Sequence, residues 1–312
     1  MPLLTRKRLI LLETESTYGT DPTPDGADAI LVRDLNITPL QSDVVSRNLI
    51  RPYLGASEQL LANTRVECTF SVELAGSGTA GTAPRYGKAL LACGLKETVA
   101  ASTSVTYAPD DTFPPDSCTI YYNIDGVLHK VTGARGTFTL NMAVGEIPSI
   151  DFTFTGVYNA PTDTAAPSVT YANQATPVIA KQGNTTGFEL LSYSGCLQSV
   201  TFDIGNTLVY RDLINCTKQV LLTDRASTGS VVIEAPTIAQ KDYFTAALSD
   251  GTLGNLLFQH GQTAGNIFDF ASTKVDIGDV SYSDQDGIHM LTIPFTCVPS
   301  TSGNDEFSFV YT

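Results

Sequence analysis

Few side chains in this 312-residue sequence have the type and spacing that enzyme chemistry requires. None of the three histidines (His129, His260 and His289) has a second histidine or a cysteine at metal-ligand spacing, and none adjoins a nucleophile motif. The sequence has no G-x-S-x-G, H-E-x-x-H or P-loop motif. We therefore predict solvated or partly packed histidines, no catalytic residue, no metal and no cofactor, so the protein is not expected to be an enzyme.

Two stretches have some features of ligand sites but lack the essential ones. Residues 276–287, DIGDVSYSDQDG, group several aspartates without the twelve-residue calcium pattern and its closing glutamate, which favours a polar hairpin tip. Residues 75–83, AGSGTAGTA, are rich in glycine, but no lysine or hydroxyl stands where a phosphate cradle needs it. We expect a flexible loop there.

The cysteines also lack a metal or disulfide pattern. They are far apart, form no C-x-x-C pair and mostly lie in apolar runs, which predicts small buried hydrophobic residues. They are Cys68, Cys93, Cys118, Cys196, Cys216 and Cys297.

Length and charge narrow the class of protein. A chain of 312 residues is long enough for two cores, and 32 acidic against 18 basic residues give a net charge of −14. This balance argues against a protein that grips nucleic acid through a basic surface.

No apolar run approaches the ~20 residues that span a bilayer, and the RKRLILL run at 6–12 is too short for a secretion signal. We expect a cytosolic protein that does not enter membranes.

Alternation with period two dominates the chain. In residues 65–74 the apolar side chains fall on one face and the polar ones on the other, as in a half-buried strand. Residues 138–144 and 150–154 repeat the pattern on either side of a turn at Gly145, which predicts an antiparallel hairpin. Helical patterns are scarce: we predict one short helix within 83–94 and a second within 235–251.

The two helices belong to a longer internal repeat. Residues 42–50, SDVVSRNLI, match residues 206–214, NTLVYRDLI. Each segment is followed by an alternating strand, a helix with the pattern Y-x-x-A-x-L-x-x-G and a closing hairpin. The shared residues are Val45 and Val209, Arg47 and Arg211, Leu49 and Leu213, and Ile50 and Ile214.

This repeat predicts a mainly β (α+β) chain made of two tandem antiparallel β-sandwich modules, each with one short flanking helix. We expect an N-terminal arm at 1–28 outside the core, a first module at 29–158, a linker at 159–177 and a second module at 178–312.

The segment 13–40, ETESTYGTDPTPDGADAILVRDLNITPL, resembles the N-terminus of the tail tube (major tail) proteins of long-tailed bacteriophages with non-contractile tails. The order of strand, glycine loop, helix and closing hairpin extends the resemblance over most of the chain. It implies a structural virion protein. Six sandwich modules, contributed by several chains, would close a ring, and rings would stack into a tube that carries DNA. Tape measure, tail terminator and distal tail proteins are the partners that it implies, with assembly in the host cytoplasm.

The resemblance also implies roles for two sets of residues. Acidic polar strand faces would line the lumen and repel genomic DNA, which passes without specific binding. The expected lumen residues are Glu67, Glu73, Asp151, Glu234 and Asp276, with Thr137, Thr139 and Thr153 as neutral lining. The N-terminal arm, disordered alone, would dock on a neighbouring ring. Its candidate residues are Glu13, Tyr18, Gly19, Asp21, Pro22, Pro24 and Asp25.

Because each chain carries two modules, three chains would supply the six modules that close one ring. The alternative is a six-chain ring whose second modules decorate the outside. A different class also fits a strand-rich sequence: a secreted or surface β-sandwich adhesin or carbohydrate-binding module. The absence of paired cysteines, of a signal sequence and of tryptophan disfavours it.

Overall fold

The computed structural model describes residues 3–249, 251 and 253–312. Met1 and Pro2 of the predicted arm, and Asp250 and Thr252 of the predicted second module, lie outside the described residues. The fold is mainly β with antiparallel pairing and two short α-helices in the described ranges, which confirms the predicted fold class.

Strands make up most of both halves. Those of the first half are β1 (Arg8–Thr14), β2 (Ala29–Ile30), β3 (Arg33–Ser46), β4 (Gln59–Glu73), β5 (Leu95–Ala100), β6 (Ser104–Pro109), β7 (Cys118–Ile124), β8 (Val127–Ala143), β9 (Ser149–Tyr158) and β10 (Thr162–Asp163). Those of the second half are β11 (Thr185–Leu190), β12 (Leu197–Asp203), β13 (Asn206–Arg211), β14 (Gln219–Arg225), β15 (Thr228–Glu234), β16 (Gly254–His260), β17 (Phe268–Ile277), β18 (Ser281–Gln285), β19 (Ile288–Cys297) and β20 (Ser308–Tyr311).

One layer of the sandwich is a continuous antiparallel sheet of eight strands in the order β3-β4-β9-β8-β12-β15-β19-β18. The first four strands come from the first half and the last four from the second half. The halves therefore meet inside this sheet, where β8 pairs with β12. We call it the long sheet.

The second layer also crosses between the halves. The C-terminal strand β20 lies between β17 of the second half and β6 of the first half. On the other side, β1 pairs with β7, which pairs with the first part of β8. One large hydrophobic core, rich in phenylalanines that contact each other in tilted or T-shaped pairs, such as Phe138, Phe202 and Phe309, fills the space between the layers.

The helices α1 (Gly87–Leu91) and α2 (Tyr243–Leu248) occur where the sequence predicts them, although each is shorter than its predicted segment. Asp242 caps α2, because its carboxylate accepts a hydrogen bond from the Thr245 N–H at 2.9 Å. The glycine-rich residues 75–83 form the predicted loop. Its backbone is held in place by the second half. The Gly76 N–H donates a hydrogen bond to Asn266 Oδ1, and the Gly78 N–H donates one to the Gly265 carbonyl oxygen.

The expectation that residues 1–28 lie outside the core is wrong for Arg8–Thr14. Strand β1 pairs with β7 along its whole length, and Ile10, Leu11 and Leu12 are buried. Alternation is absent here because both faces of the strand are covered: the main core takes one face, and a small cluster with Tyr121 takes the other. Deleting this strand would open the core.

The pairings of the two halves correspond. Strand β1 pairs with β7 as β11 pairs with β16, and β10 pairs with β8 as β20 pairs with β17. Strand β9 lies beside β4 as β19 lies beside β15, with Ser149 opposite Glu73 and Met290 opposite Glu234. These registers allow each residue of one half to be matched with a residue of the other. The predicted linker crosses the surface of the first half, where Gln174 contacts Ala29 and Leu31.

Candidate functional site

Groups for catalysis or metal binding are not assembled in the described ranges, where no cluster of three or more His, Cys, Asp or Glu residues could hold a metal ion. His260 is buried and bonds to Thr185 Oγ1 and to the Val178 carbonyl oxygen, so it is fully packed rather than solvated. Burial lowers the pKa of His260. His129 is half-buried and His289 is exposed, as predicted.

Four cysteines are buried as predicted, but Cys196 and Cys216 are exposed. Both exposed thiols lie in connections of the second half, outside the strands that fill the core. Among the described helices, none has the length and apolar composition to span a bilayer.

The outstanding surface is the polar face of the long sheet, on the side opposite the core. All eight residues expected at the lumen alternate with buried core residues on their strands. Seven of them lie on this polar face, and Asp276 of β17 lies beside it, opposite Thr296 of β19. Register brings some of them together: Asp151 lies opposite Thr139, and Thr153 lies opposite Thr137. Glu67, Glu73, Glu234 and Asp276 are spread along the sheet, so the candidates form a face and not a compact cluster.

Asp151 is the most constrained carboxylate of this polar face. It accepts hydrogen bonds from the Ser71 hydroxyl and from Asn141 Nδ2, the latter at 2.8 Å. The residues predicted to line the lumen did not include these two partners. They also did not include Asp203, which lies opposite Thr139 across the β8–β12 junction. Alternation in LQSVTFD (197–203) is the signal that would have placed Asp203 on this face.

The two ends of the long sheet are open. Strand β3 pairs only with β4, and β18 pairs only with β19, among the pairings of the described chain. All five side chains of β18 are exposed. An open strand edge presents unpaired N–H and C=O groups that favour pairing with another chain.

Residues 206–225 form a separate two-stranded ribbon of β13 and β14, here called the second hairpin. It lies against β8, β9 and β4 of the first half. Asn206 Nδ2 donates to the carbonyl oxygens of Cys93 and Gly136, at 2.7 and 3.0 Å. Tyr210 Oη donates to the Thr64 carbonyl oxygen at 2.8 Å. These bonds fix both ends of the ribbon to the first half.

A buried cation holds the second hairpin at the end near Tyr210. The Arg135 guanidinium, 1% exposed, donates to the carbonyl oxygens of Val220 and Pro115. Tyr18 packs under the guanidinium at 4.9 Å from its ring centroid, and its hydroxyl accepts from the Val220 N–H at 2.7 Å. Burial raises the pKa of Tyr18. Gly133, at φ +58°, leaves room for the tyrosine ring.

Residues 42–62, the outer parts of β3 and β4 with their connecting loop, are here called the first hairpin. They match the second hairpin in sequence and in strand pairing, with Val45 opposite Leu60 and Val209 opposite Leu221. The burial differs. Leu60 is 51% exposed and Leu221 is 8% exposed.

The predicted arm residues pack on their own chain. Glu13 is paired with Lys88, and Asp21 accepts from Lys130 Nζ at 2.8 Å and from the Tyr121 hydroxyl at 2.5 Å. The Asp25 side chain accepts from the Ala27 N–H in a single 3-10 turn. The expectation that this segment is disordered alone is therefore wrong. The segment is ordered because its carboxylates form hydrogen bonds and ion pairs with residues of β7, β8 and α1.

The remaining arm residues shape the loop that connects Tyr18 with this turn. Gly19 has a φ of +73°, Pro24 is buried, and Pro22 lies between them. Asp28, the last residue of the turn, is desolvated by burial, which raises its pKa. Hydrogen bonds from the Asp25 N–H and from Arg85 outweigh that and lower the pKa to about 2.

Comparison with known proteins gives one family. The model of the phage tail tube protein family matches residues 5–297 of the chain. A search of the curated proteins found no match.

Proposed function

Because the chain belongs to the phage tail tube protein family, a family of structural tail proteins, we propose that three copies close a ring and that rings stack into the tube. The observation that carries the proposal is the long sheet, in which two sandwich halves are already joined edge to edge through β8 and β12. The family match does not support the alternative of an adhesin or carbohydrate-binding module.

The junction inside the chain predicts the junction between chains. At β8–β12, Ala143 lies opposite Ser199 and Thr139 lies opposite Asp203. The open strand β18 matches this part of β8, because both pair with the closing strand of their half, β19 or β9. The open strand β3 matches β12, because β3 pairs with β4 as β12 pairs with β15.

The matched registers give the pairing between neighbours. Gln285 of one chain would lie opposite Arg33 of the next, and Ser281 opposite Thr38, with a bulge between Arg33 and Asn36 of β3. The cation of Arg33 would then lie beside the acidic turn that follows β18. Three chains of eight strands would close a barrel of 24 strands without a free edge.

The polar face of the long sheet would line the channel. Three chains carry a net charge of −42, three times −14. Carboxylates such as Glu73, Asp151 and Asp203 would repel the phosphates of genomic DNA, whereas basic walls would release counterions from the DNA and bind it. The DNA would therefore pass without specific binding.

Stacking of the rings would use the tips of both hairpins. Ile50 is fully exposed and Ile214 is 92% exposed, each preceded by an exposed leucine, although the second hairpin is docked. Apolar tips that stay exposed after docking suit a contact with the next ring. The residues of the predicted arm could add to that contact. We also propose that tape measure, tail terminator and distal tail proteins contact the finished tube, and that assembly occurs in the host cytoplasm.

The mass of a single ring tests the ring count. Three chains of 33.2 kDa predict about 100 kDa by native mass spectrometry, and end-on images should show three-fold texture. A ring of twice that mass would contradict the three-chain ring while leaving the tube protein assignment intact.

A substitution at the open edge tests the junction. Asp284→Pro removes an N–H that β18 directs away from β19, because the residue opposite, His289, bonds to β15, and this variant should prevent ring closure. Ala101→Pro is the matched control, because Ala101 follows Ala100 in a turn closed by the Thr103 N–H, where proline is favoured. Rings that form equally well from both variants would exclude β18 as the edge.

A further inference from the structure

Both faces of the first hairpin carry apolar side chains that the described chain leaves open. Val44 and its partner Leu61 are 54 and 53% exposed on one face, and Val45 and its partner Leu60 are 50 and 51% exposed on the other. A two-stranded ribbon has no core of its own, so apolar side chains on it are stabilised when another element covers them. The internal repeat identifies that element.

The second hairpin shows how a matched ribbon is covered. Val220, which lies opposite Tyr210 in this hairpin, is fully buried against the first half. Gln59, the matched residue of the first hairpin, is exposed. Leu221 and Leu60 differ in the same direction. The second hairpin reaches this covered position because it continues from β12, which pairs with β8 at the junction.

The surface that receives a hairpin can be matched in the same way. In the first half, the row of Arg135, Thr155 and Glu67 adjoins the second hairpin and is buried or half-buried. The matching row of the second half is Asp276, Thr296 and Thr228. All three of these residues are exposed. One half thus has a covered receiving row and the other half an open one.

We infer that the first hairpin of each chain docks on the second half of the neighbouring chain in the same ring, over Thr228, Asp276 and Thr296. This inference rests on the proposed ring, because β3 adjoins β18 of that neighbour only when the ring closes. The partner is a second copy of this chain. One open hairpin and one open row per chain then cover each other all around the ring.

The chemistry at the centre of the contact is complementary. In the chain, Arg135 donates to the carbonyl oxygen of Val220. At the matched positions between chains, the donor is the side-chain amide of Gln59 and the acceptor is the carboxylate of Asp276. The docked hairpin would cover Asp276, which therefore leaves the channel lining.

Cross-linking in isolated single rings tests the contact. The background is Cys196→Ser with Cys216→Ser, which removes the two exposed thiols. Gln59→Cys combined with Asp276→Cys should then be joined by a short bis-maleimide into covalent trimers. Gln59→Cys combined with Glu234→Cys is the matched control, because Glu234 matches Glu73 at the far end of the sheet, and it should stay monomeric in denaturing gels.

The outcomes separate this inference from the proposed ring. Covalent trimers in single rings support the docking. Links that appear only in stacked tubes place the hairpin on the next ring and overturn the inference, as does the absence of links in well-formed rings. Failure of the unmodified protein to form rings contradicts the proposed function itself.

Hydrogen exchange on the unmodified chain gives a second test if the cysteine variants do not assemble. Amides of residues 42–62 should exchange more slowly in single rings than in monomers, by at least about tenfold. Equal exchange in the two states would overturn the docking.

Discussion

The two hairpins share a valine, an arginine and a Leu-Ile tip at matched positions, yet one is docked and the other stands open. The second hairpin has the first half of its own chain beside it, with Arg135 and Tyr18 as its clamp. Most side chains of the first hairpin are exposed to solvent. The difference teaches that burial depends on the neighbour that each copy has, because the second hairpin follows β12, which pairs with β8 of the first half.

The receiving surfaces differ for the same reason. Arg135 is buried because a hairpin covers it, and Asp276 is exposed although it holds the matched position. In the proposed ring, one contact would form during folding of the chain and the other only on assembly, which would allow these two positions to diverge. Substitutions at matched positions should therefore act on folding in one copy and on assembly in the other.

The largest effect is expected at Val220. Val220→Asp buries a carboxylate against the first half and should lower the free energy of unfolding of the monomer by about 3 kcal/mol. Gln59→Asp, at the matched exposed position, should change it by less than about 0.5 kcal/mol. Urea denaturation of the two monomers measures both. Equal losses would mean that the first hairpin is also covered in the monomer.

Arg135 gives the next largest effect. Arg135→Leu removes a charged donor from the carbonyl oxygens of Val220 and Pro115 and should cost about 2 kcal/mol of monomer stability. Asp276→Leu should leave the monomer unchanged but weaken the ring, because its carboxylate is exposed until a neighbour covers it. A ring that is unaffected by Asp276→Leu would argue against Asp276 as part of the contact.

Sequence patterns predicted the long sheet better than its surroundings. Strict alternation placed Asp151, Thr139 and Glu73 on one face, because a half-buried strand leaves that periodicity in the sequence. Strand β1 was missed because it is covered on both faces and does not alternate. The correspondence of residues 42–50 with 206–214 was visible as well, but sequence comparison contains no information about which copy is docked.

The clamp of the second hairpin was not predictable from spacing. Tyr18, Arg135 and Val220 are far apart in the chain, and each alone is an ordinary residue type for its segment. Asp21 was assigned to a detached arm because acidic, proline-rich loops are commonly solvated. Its partners Lys130 and Tyr121 become neighbours only through the pairing of β7 with β8.

The acidic loop of the first half should make that half sensitive to acid. Asp28 has its pKa lowered to about 2, so the stability that it contributes is present above its unfolded value near pH 4 and is lost as the pH falls toward 2. Asp28→Asn should cost about 1 kcal/mol at pH 7, a figure reduced for solvent screening, and much less near pH 2. Denaturation midpoints across this range measure the difference.

The second half has no matching acidic loop, because β11 and β12 are joined by only a short connection. The control is therefore an exposed aspartate between β17 and β18. Asp279 is exposed and belongs to no ion pair among the described residues. Asp279→Asn should change stability by less than about 0.5 kcal/mol. A cost of Asp28→Asn that persists at pH 2 would mean that packing, and not charge, is what Asp28 contributes.

The smallest effect on the monomer is expected at the hairpin tips, where the two copies should behave alike. Ile50→Ser and Ile214→Ser remove side chains that are almost wholly exposed, so neither should change the unfolding free energy by more than about 0.5 kcal/mol. Both should leave single rings intact, because neither tip lies at the strand junction or on a receiving row. If stacking uses all six tips of a ring, each substitution removes three of them, and both variants should shorten tubes to a similar degree in electron micrographs. Shortening by Ile50→Ser alone would mean that the copies differ at the tip as well as in docking.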